Sequence, residues 1–456
     1  MNAVLREWLW ITNPGASRDR LKALATFTRR GRVRPGDSRV VGAWVEAARG
    51  SLGLPRGLLP AVRQAVWPER LHVQDRRLWF DPGLDFGWQG TLRPEQYATV
   101  AAVVQREGGS LVALTGAGKT VMGLGLIAWF QQPALWVVHR TDLARDALAK
   151  ARTLFDLPAS AFGYIGEDEY LVGTHVTFAV QQTLARRENA ALASTIGTLV
   201  VDEHQHSPAP SVAAVVSQFA ARYRVGMTAT LEREDGLHSL IHATFGPWVR
   251  LPDHELIRRG RVMIPTIRPV PTAFTANPSW RWADLQRARA ADRARNIVLL
   301  NTIRTAVQQG HHTLVLVALV DHAQWLARQL TRNRIPAQAV VGAVQTPDRD
   351  RAYRAFLQGR IVLVATSLAD EGLDLPAASG LVLGTPGRSR PKSRQQIGRI
   401  MRLAAGKRPP VVWDLVDGQV PALAKQWQIR RQTYRDQGWD VVEGQEGSYG
   451  TASPSQ

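Results

Sequence analysis

Two series of short apolar runs, each separated from the next by a helical stretch, constrain this chain more than any other feature. The first is Leu111–Leu114, Ala134–His139, Val176–Val180, Thr198–Val201 and Tyr223–Met227; the second is Thr313–Leu319, Ala337–Val341, Ile361–Ala365, Gly380–Leu383 and Val411–Leu415. A strand wetted on one face alternates apolar with polar residues, whereas a strand apolar at successive positions needs cover on both faces. Intervening helices supply that cover and dictate parallel, doubly wound sheets. The expected fold class is therefore α/β, with two such domains in tandem; at 456 residues the chain is too long for a single core. Residues 1–88 are Arg- and Trp-rich and read as a small α+β accessory domain. Residues 89–255 and 256–442 carry the two series, with a Pro-punctuated crossing at about 251–273, and the small polar residues of 443–456 read as a disordered tail.

The first run leads into Leu114-Thr115-Gly116-Ala117-Gly118-Lys119-Thr120, followed by an apolar, Gly-spaced segment. Strand, tight loop and helix in that order make a phosphate cradle. Backbone N–H groups of Thr115, Gly116, Ala117 and Gly118 curl round the anion, Lys119 reaches the β- and γ-phosphates, and the Thr120 hydroxyl holds Mg²⁺. Ala113 stands where the usual G-x-x-x-x-G-K-[ST] pattern has its first glycine. The chain has only six lysines among its 57 basic residues. A lysine retained at this loop fits a site that wants a compact point charge rather than a planar fork.

A phosphate loop requires a carboxylate for the metal and a group to handle the attacking water. Asp202 and Glu203 end an apolar strand, at the carboxyl edge where ligands gather in parallel sheets, and are expected to lie beside the loop. Asp202 is assigned to Mg²⁺ and Glu203 to deprotonating the lytic water. Thr228 and Thr230 close another strand with hydroxyls placed to sense these acids. In the second series, Arg399 and Arg402 are three apart and expected on one helical face. A domain without its own nucleotide but with two arginines suits a finger supplied in cis.

The ordered set resembles the superfamily 2 helicases and translocases, over roughly residues 89–435. Thr91–Gln96 looks like the adenine-reading glutamine motif, which implies Arg93 and Gln96 near the base. Ala113–Thr120, Val138–Leu143, Val180–Leu184, Asp202–His206, Thr228–Thr230, Leu316–His322, Ala365–Pro376 and Gln395–Arg402 follow in the order of the family's motifs. The resemblance implies two RecA-like domains, an ATP and Mg²⁺ requirement, and 3′ to 5′ movement. It also implies nucleotide contacts from Gly372 and Asp374, coupling through Gln205, Thr228, Thr230 and Gln395, and strand contacts from His139, Arg140, Gln181, Thr183 and Thr366. Thr228–Gly236 looks most like the XPB, UvsW and RadD group and type III restriction subunits, which makes Arg233, Glu234 and Asp235 candidates for the fork. Pro55–Leu59 is similar to a segment of that group's small DNA-engaging domain. The family usually has D-E-x-H; Gln205 here can hydrogen-bond, including to the second unit, but cannot titrate.

A formal net charge of +19 and pI near 11.1 favour a polyanionic partner, although Arg-rich coding bias also raises both. DNA is the expected partner and RNA the alternative; an ATP-gated clamp, or the motor subunit of a restriction or defence complex, is the other reading. Without cysteine there is no disulfide or thiolate metal site. No apolar run spans a bilayer and Met1–Trp10 does not read as a signal peptide, so an intracellular monomer is expected, nucleoid-associated or viral. Trp10, Trp44, Trp67, Trp79 and Trp88 are read chiefly as core packing, with base stacking as the competing use. Arg281, Arg287, Arg289, Arg293 and Arg295 read as a solvated helix face, with contact to phosphates as the competing use.

Overall fold

The computed structural model describes residues 1–29, 37–47, 50–81, 83–114, 116–230, 233, 235–342, 346–366, 375–387 and 389–442. By internal contacts the chain divides into two compact units, Met1–Glu255 and Leu256–Gln456. Among the described residues no helix is long and apolar enough to cross a membrane.

The first unit is built on an eight-stranded sheet. In spatial order its strands are Tyr170–Leu171, Phe162–Ile165, Val176–Val180, Ala134–Val138, Thr198–Val201, Tyr223–Thr228, Gly108–Val112 and Trp248–Arg250. All neighbours pair in parallel except the Tyr170–Leu171 edge, which folds back as a hairpin. Every residue of the Val176–Val180, Ala134–Val138, Thr198–Val201 and Gly108–Val112 strands is buried, as cover on both faces demands. The strand before the phosphate loop begins three residues earlier than its apolar run, through Gly108 and Gly109. Gly109 sits at φ +120°, and a Cβ there would fall 2.2 Å from the Pro247 carbonyl oxygen. Glycine here marks close backbone approach inside a sheet, not a turn.

The N-terminal region belongs to this same compact unit. Its sheet, in the order Val45–Glu46, Leu52–Leu54, Leu9–Thr12, Asn2–Leu5 and His72–Asp75, packs on Arg18–Leu24 and Leu59–Ala65 around Leu9, Ile11, Leu21, Leu52, Leu54 and Val62. Pro55–Leu59 docks it on the larger sheet. The Arg56 guanidinium donates to the carbonyls of Ala221 at 2.6 Å and Arg222 at 2.9 Å. A Cβ on Gly57 would fall 2.5 Å from the His242 carbonyl oxygen. These contacts make Pro55–Leu59 an anchor between the two sheets. Trp10 and Trp88 are partly buried, Trp88 with its ring 5.5 Å from that of Phe155, whereas Trp67 is 79% and Trp79 48% exposed.

The second unit carries a seven-stranded, wholly parallel sheet. Its order is Ala337–Val340, Val362–Thr366, Thr313–Val317, Gly380–Leu383, Val411–Val416, Thr266–Pro271 and Asp440–Val441. Thr266–Pro271 lies where a crossing was expected. Its neighbour Asp440–Val441 pairs only with Thr266 and Ile267, so Pro269 and Pro271 fall where one side is an edge that tolerates the missing N–H.

Arg289 and Arg295 correct the expectation of a solvated helix face. Both are 1% exposed and converge on buried Asp417, Arg289 at 2.8 Å and Arg295 at 2.7 Å. The Thr272 hydroxyl donates to the same carboxylate at 2.6 Å, and Arg295 also donates to the Gly384 carbonyl at 2.5 Å. Arg281, Arg287 and Arg293 are exposed as expected. A second buried set joins Asp414 to Arg430 at 2.8 Å and to the Tyr434 hydroxyl at 2.7 Å.

Candidate active site

The Gly108–Val112, Tyr223–Thr228 and Thr198–Val201 strands end at one edge of the first sheet, and their exits hold the chemistry. The order differs in one respect from expectation. The acids' strand is not adjacent to the loop strand; Tyr223–Thr228 lies between them and pairs with both. Thr228, at the end of that strand, is therefore placed between the loop strand and the acids' strand.

The loop itself is compact. Ala113 keeps the extended pairing, its N–H on the Thr228 carbonyl at 3.1 Å, so no left-handed conformation is needed there and a glycine is dispensable. Gly116 at φ +91° and Gly118 at φ +85° make the turn, and Gly118 opens the Lys119–Phe130 helix. A Cβ on Gly118 would fall 2.5 Å from Gln96 Nε2. Gln96 Nε2 and the Arg93 guanidinium each donate to the Ala117 carbonyl at 2.8 Å, and Gln96 Oε1 accepts the Arg93 N–H at 3.0 Å. The glutamine motif is thereby tied to the outside of the phosphate loop. Thr120 lies half-buried in the first turn of the helix, while Thr115 lies outside the described residues.

Lys119, 8% exposed, places its ammonium 3.1 Å from Glu203 Oε1 and 3.4 Å from the Ala113 carbonyl. Asp202 accepts the Glu203 N–H at 2.9 Å. Burial, then the adjacent Glu203 charge, push the Asp202 carboxyl up to about 7, against the opposing pull of Lys119. Gln205 closes the group: its Nε2 donates to Glu203 Oε2, and its Oε1 accepts from the Thr228 hydroxyl at 2.6 Å. Thr228 Oγ1 is also 2.6 Å from the Thr230 carbonyl and accepts the Thr230 N–H at 3.1 Å. Its single proton can serve one of two acceptors at a time. Gln205 therefore has both ends of its amide occupied within the first unit, on the residue expected to be the base and on the strand end between acids and loop. Gln205→Ala is expected to lower ATP turnover about tenfold both with and without nucleic acid, the worth of one charged hydrogen bond; turnover with and without single-stranded DNA measures it.

The strand-contact candidates are mostly less open than expected. Gln181 and Thr183 are 6% exposed and Thr366 is 2% exposed. Gln181 Oε1 accepts from the Ser207 hydroxyl at 2.5 Å, which links the helix start at 181 to the turn after Glu203. No spacing signal in the sequence marks Ser207. Arg140 forms a bidentate pair with Asp142 at 3.0 and 2.7 Å beside the half-buried His139. Arg233 and Asp235 pair at 2.9 Å, with the Arg233 side chain 6% exposed. Glu234, Gly372 and Asp374 lie outside the described residues.

In the second unit the helix Arg390–Ile400 carries Gln395, half-buried, and Arg399, 6% exposed. Arg402 does not share its helical face. The helix stops at Ile400, and Arg402 forms an isolated bridge with Val262. The Lys407 ammonium holds the ending by donating to the carbonyls of Arg402 at 2.7 Å and Pro376 at 2.9 Å. His322, at the end of the Leu316–His322 segment, is buried with its Nε2 2.9 Å from Asn296 Oδ1.

Fold and sheet edge together define a two-unit α/β protein whose first unit gathers a phosphate-type loop, a buried lysine and two acids at one sheet edge. Comparison with known proteins narrows this. The family model "Type III restriction enzyme, res subunit" matches residues 89–233, and "Helicase conserved C-terminal domain" matches residues 294–404. The chain is 27% identical to the probable helicase D10 of Escherichia phage T5, over 72% of this chain and 71% of that one. It is 26% identical to the DNA 3′-5′ translocase XPB2 of Sulfurisphaera tokodaii, over 68% of this chain and 78% of that one. Among solved structures it shares its fold with S. cerevisiae Dbp5 bound to RNA and ADP BeF3, with TM-score 0.53, 16% identity, and coverage of 77% of this chain and 94% of that one. The chain belongs to the superfamily 2 helicases, and it is an ATP-hydrolysing helicase.

Proposed function

We propose that the protein is a DNA motor that moves 3′ to 5′ along one strand, driven by ATP–Mg²⁺ hydrolysed at the Lys119–Asp202–Glu203 edge. The convergence of Lys119, Asp202, Glu203, Gln205 and Thr228 on that edge carries the reading. Lys119 binds the β- and γ-phosphates, Gln96 and Arg93 flank the base, and Glu203 takes the proton of the lytic water. By family resemblance Arg399 and Arg402 are proposed to stabilise charge on the γ-phosphate; the helix end at Ile400 removes the shared-face argument for the pair. Several relatives, including XPB2, are named as DNA helicases or translocases, which favours DNA over RNA. Contact through phosphates implies weak sequence preference and steep loss of affinity with salt.

Thr120 and Asp202 offer hard oxygen donors, which suit Mg²⁺. Bound there, the ion would neutralise phosphate charge. Asp202 must lose its proton to serve, and its carboxyl stands near 7. Below that pH the Mg²⁺ concentration for half-maximal turnover is expected to rise about tenfold per unit, because proton and metal compete for one group. Mg²⁺ titrations of turnover at acidic, neutral and alkaline pH test this; a requirement independent of pH contradicts the assignment of Asp202.

The function is tested by ATP turnover against single-stranded, duplex, forked and four-way DNA and matched RNA. Stimulation by DNA above RNA is expected. Equal or greater stimulation by RNA would overturn the choice of DNA.

A further inference from the structure

Of the residues that resemble a fork-opening element, Arg233 faces inward. The Arg233 guanidinium donates to the carbonyls of His204 at 3.1 Å and Ser207 at 2.8 Å, and clasps the Asp235 carboxylate at 3.0 and 2.9 Å. Asp235 in turn accepts the Leu237 N–H at 3.0 Å, just ahead of the His238–Phe245 helix. The Arg233 side chain is 6% exposed, with most of its donors directed at these groups. The two carbonyls it holds bracket the short turn His204–His206, and Gln205, which holds Glu203, lies inside that bracket.

Glu203 needs such support. It sits at φ +49°, in the left-handed region. A residue with a side chain is disfavoured there and persists where its surroundings hold it. Gln205 fixes the Glu203 carboxylate from one side; the start of the next turn must be fixed as well, or Glu203 can relax to an ordinary conformation and carry its carboxylate away from Lys119. A planar fork can hold two carbonyls and a carboxylate together, whereas a lysine, with a point charge, can satisfy only part of the set.

We infer that Arg233 is a positioning residue for ATP hydrolysis: with Asp235 it clamps the turn after Glu203 and so aims the Glu203 carboxylate, rather than serving as a strand contact. The inference rests on the reading of Glu203 as the base. Its distinctive consequence is that Arg233 matters to hydrolysis even when no nucleic acid is present.

The test uses the full chain and three substitutions, Arg233→Ala, Arg233→Lys and Asp235→Asn, with three readouts. These are turnover without nucleic acid, turnover with saturating oligothymidylate, and affinity for labelled oligothymidylate across a salt series. Arg233→Ala is expected to lower kcat about tenfold in both turnover assays, equivalent to one strong hydrogen-bond set, with the KM for ATP unchanged. Arg233→Lys should recover part of the loss, and oligothymidylate affinity and its salt slope should stay as in the unmodified protein. Asp235→Asn preserves shape while removing the charge, and a smaller fall of the same kind is expected if Arg233→Ala does not fold. Normal turnover without nucleic acid, together with weaker strand binding and a salt slope shallower by about one, would make Arg233 a strand contact and overturn the inference. Full activity in Glu203→Gln would instead bring down the reading of the base, whatever Arg233 does.

Discussion

Glu203→Gln is expected to cut ATP turnover by a factor of about 10²–10⁴, the usual contribution of a positioned general base, while ATP still binds. The substitution keeps the size of the side chain and one oxygen, so the turn and the contact from Gln205 have a partner after the change. What it removes is the capacity to take a proton, together with the ion pair to Lys119 at 3.1 Å. Releasing Lys119 favours the triphosphate, so affinity should hold or rise as kcat collapses. Lys119→Ala should also abolish turnover, but by losing the phosphate contact. Fluorescent-nucleotide binding alongside turnover separates the two. A Glu203→Gln protein turning over within about twofold of the original would remove Glu203 from the chemistry, since a lost base costs far more.

The second large effect concerns folding. Asp417→Ala strands two guanidiniums in the interior of the second unit, because Arg289 and Arg295 both pair with it at full burial. Removing one partner of a buried ionic set costs about 3–5 kcal/mol. That is a large share of the roughly 5–15 kcal/mol that holds a domain folded. Burial alone would raise the Asp417 carboxyl; Arg295 and Arg289 outweigh it and hold it below its usual range. A depressed folded-state value means the contribution is present above the unfolded carboxylate range and is lost as pH falls through the lower folded value. Urea unfolding of the full chain should show an early transition in Asp417→Ala that is absent in Arg293→Ala, where the altered side chain is exposed. Unchanged stability in Asp417→Ala would mean the two arginines find water or other acceptors.

The local chemistry of this chain was open to sequence reading because it is written in contiguous residues. A loop with its lysine, two acids at a strand end and two threonines at the next each lie within a few positions. What escaped depends on partners far along the chain. Arg295 looks like one more surface arginine until Asp417, 122 residues later, folds against it. Arg233 reads as a motif residue facing DNA until the carbonyls of His204 and Ser207 claim its guanidinium. The strand Thr266–Pro271 was hidden because its prolines argue against a central strand, and only the shortness of its neighbour makes room for them. Arg399 and Arg402 were placed on one helical face by spacing alone, which assumed a helix that ends at Ile400. Spacing also could not reveal that Tyr223–Thr228 inserts between loop and acids, which sets Thr228 where it meets Gln205.

The central claim is that hydrolysis at the Lys119–Glu203 edge moves the protein along nucleic acid. Displacement of a labelled strand from a tailed DNA duplex, followed with ATP for the unmodified chain and for Lys119→Ala, tests it most directly. The account predicts displacement by the former, dependent on a 3′ tail, and none by the latter. Equal displacement by both, or ATP turnover by the unmodified chain with no strand released or translocated, would contradict it.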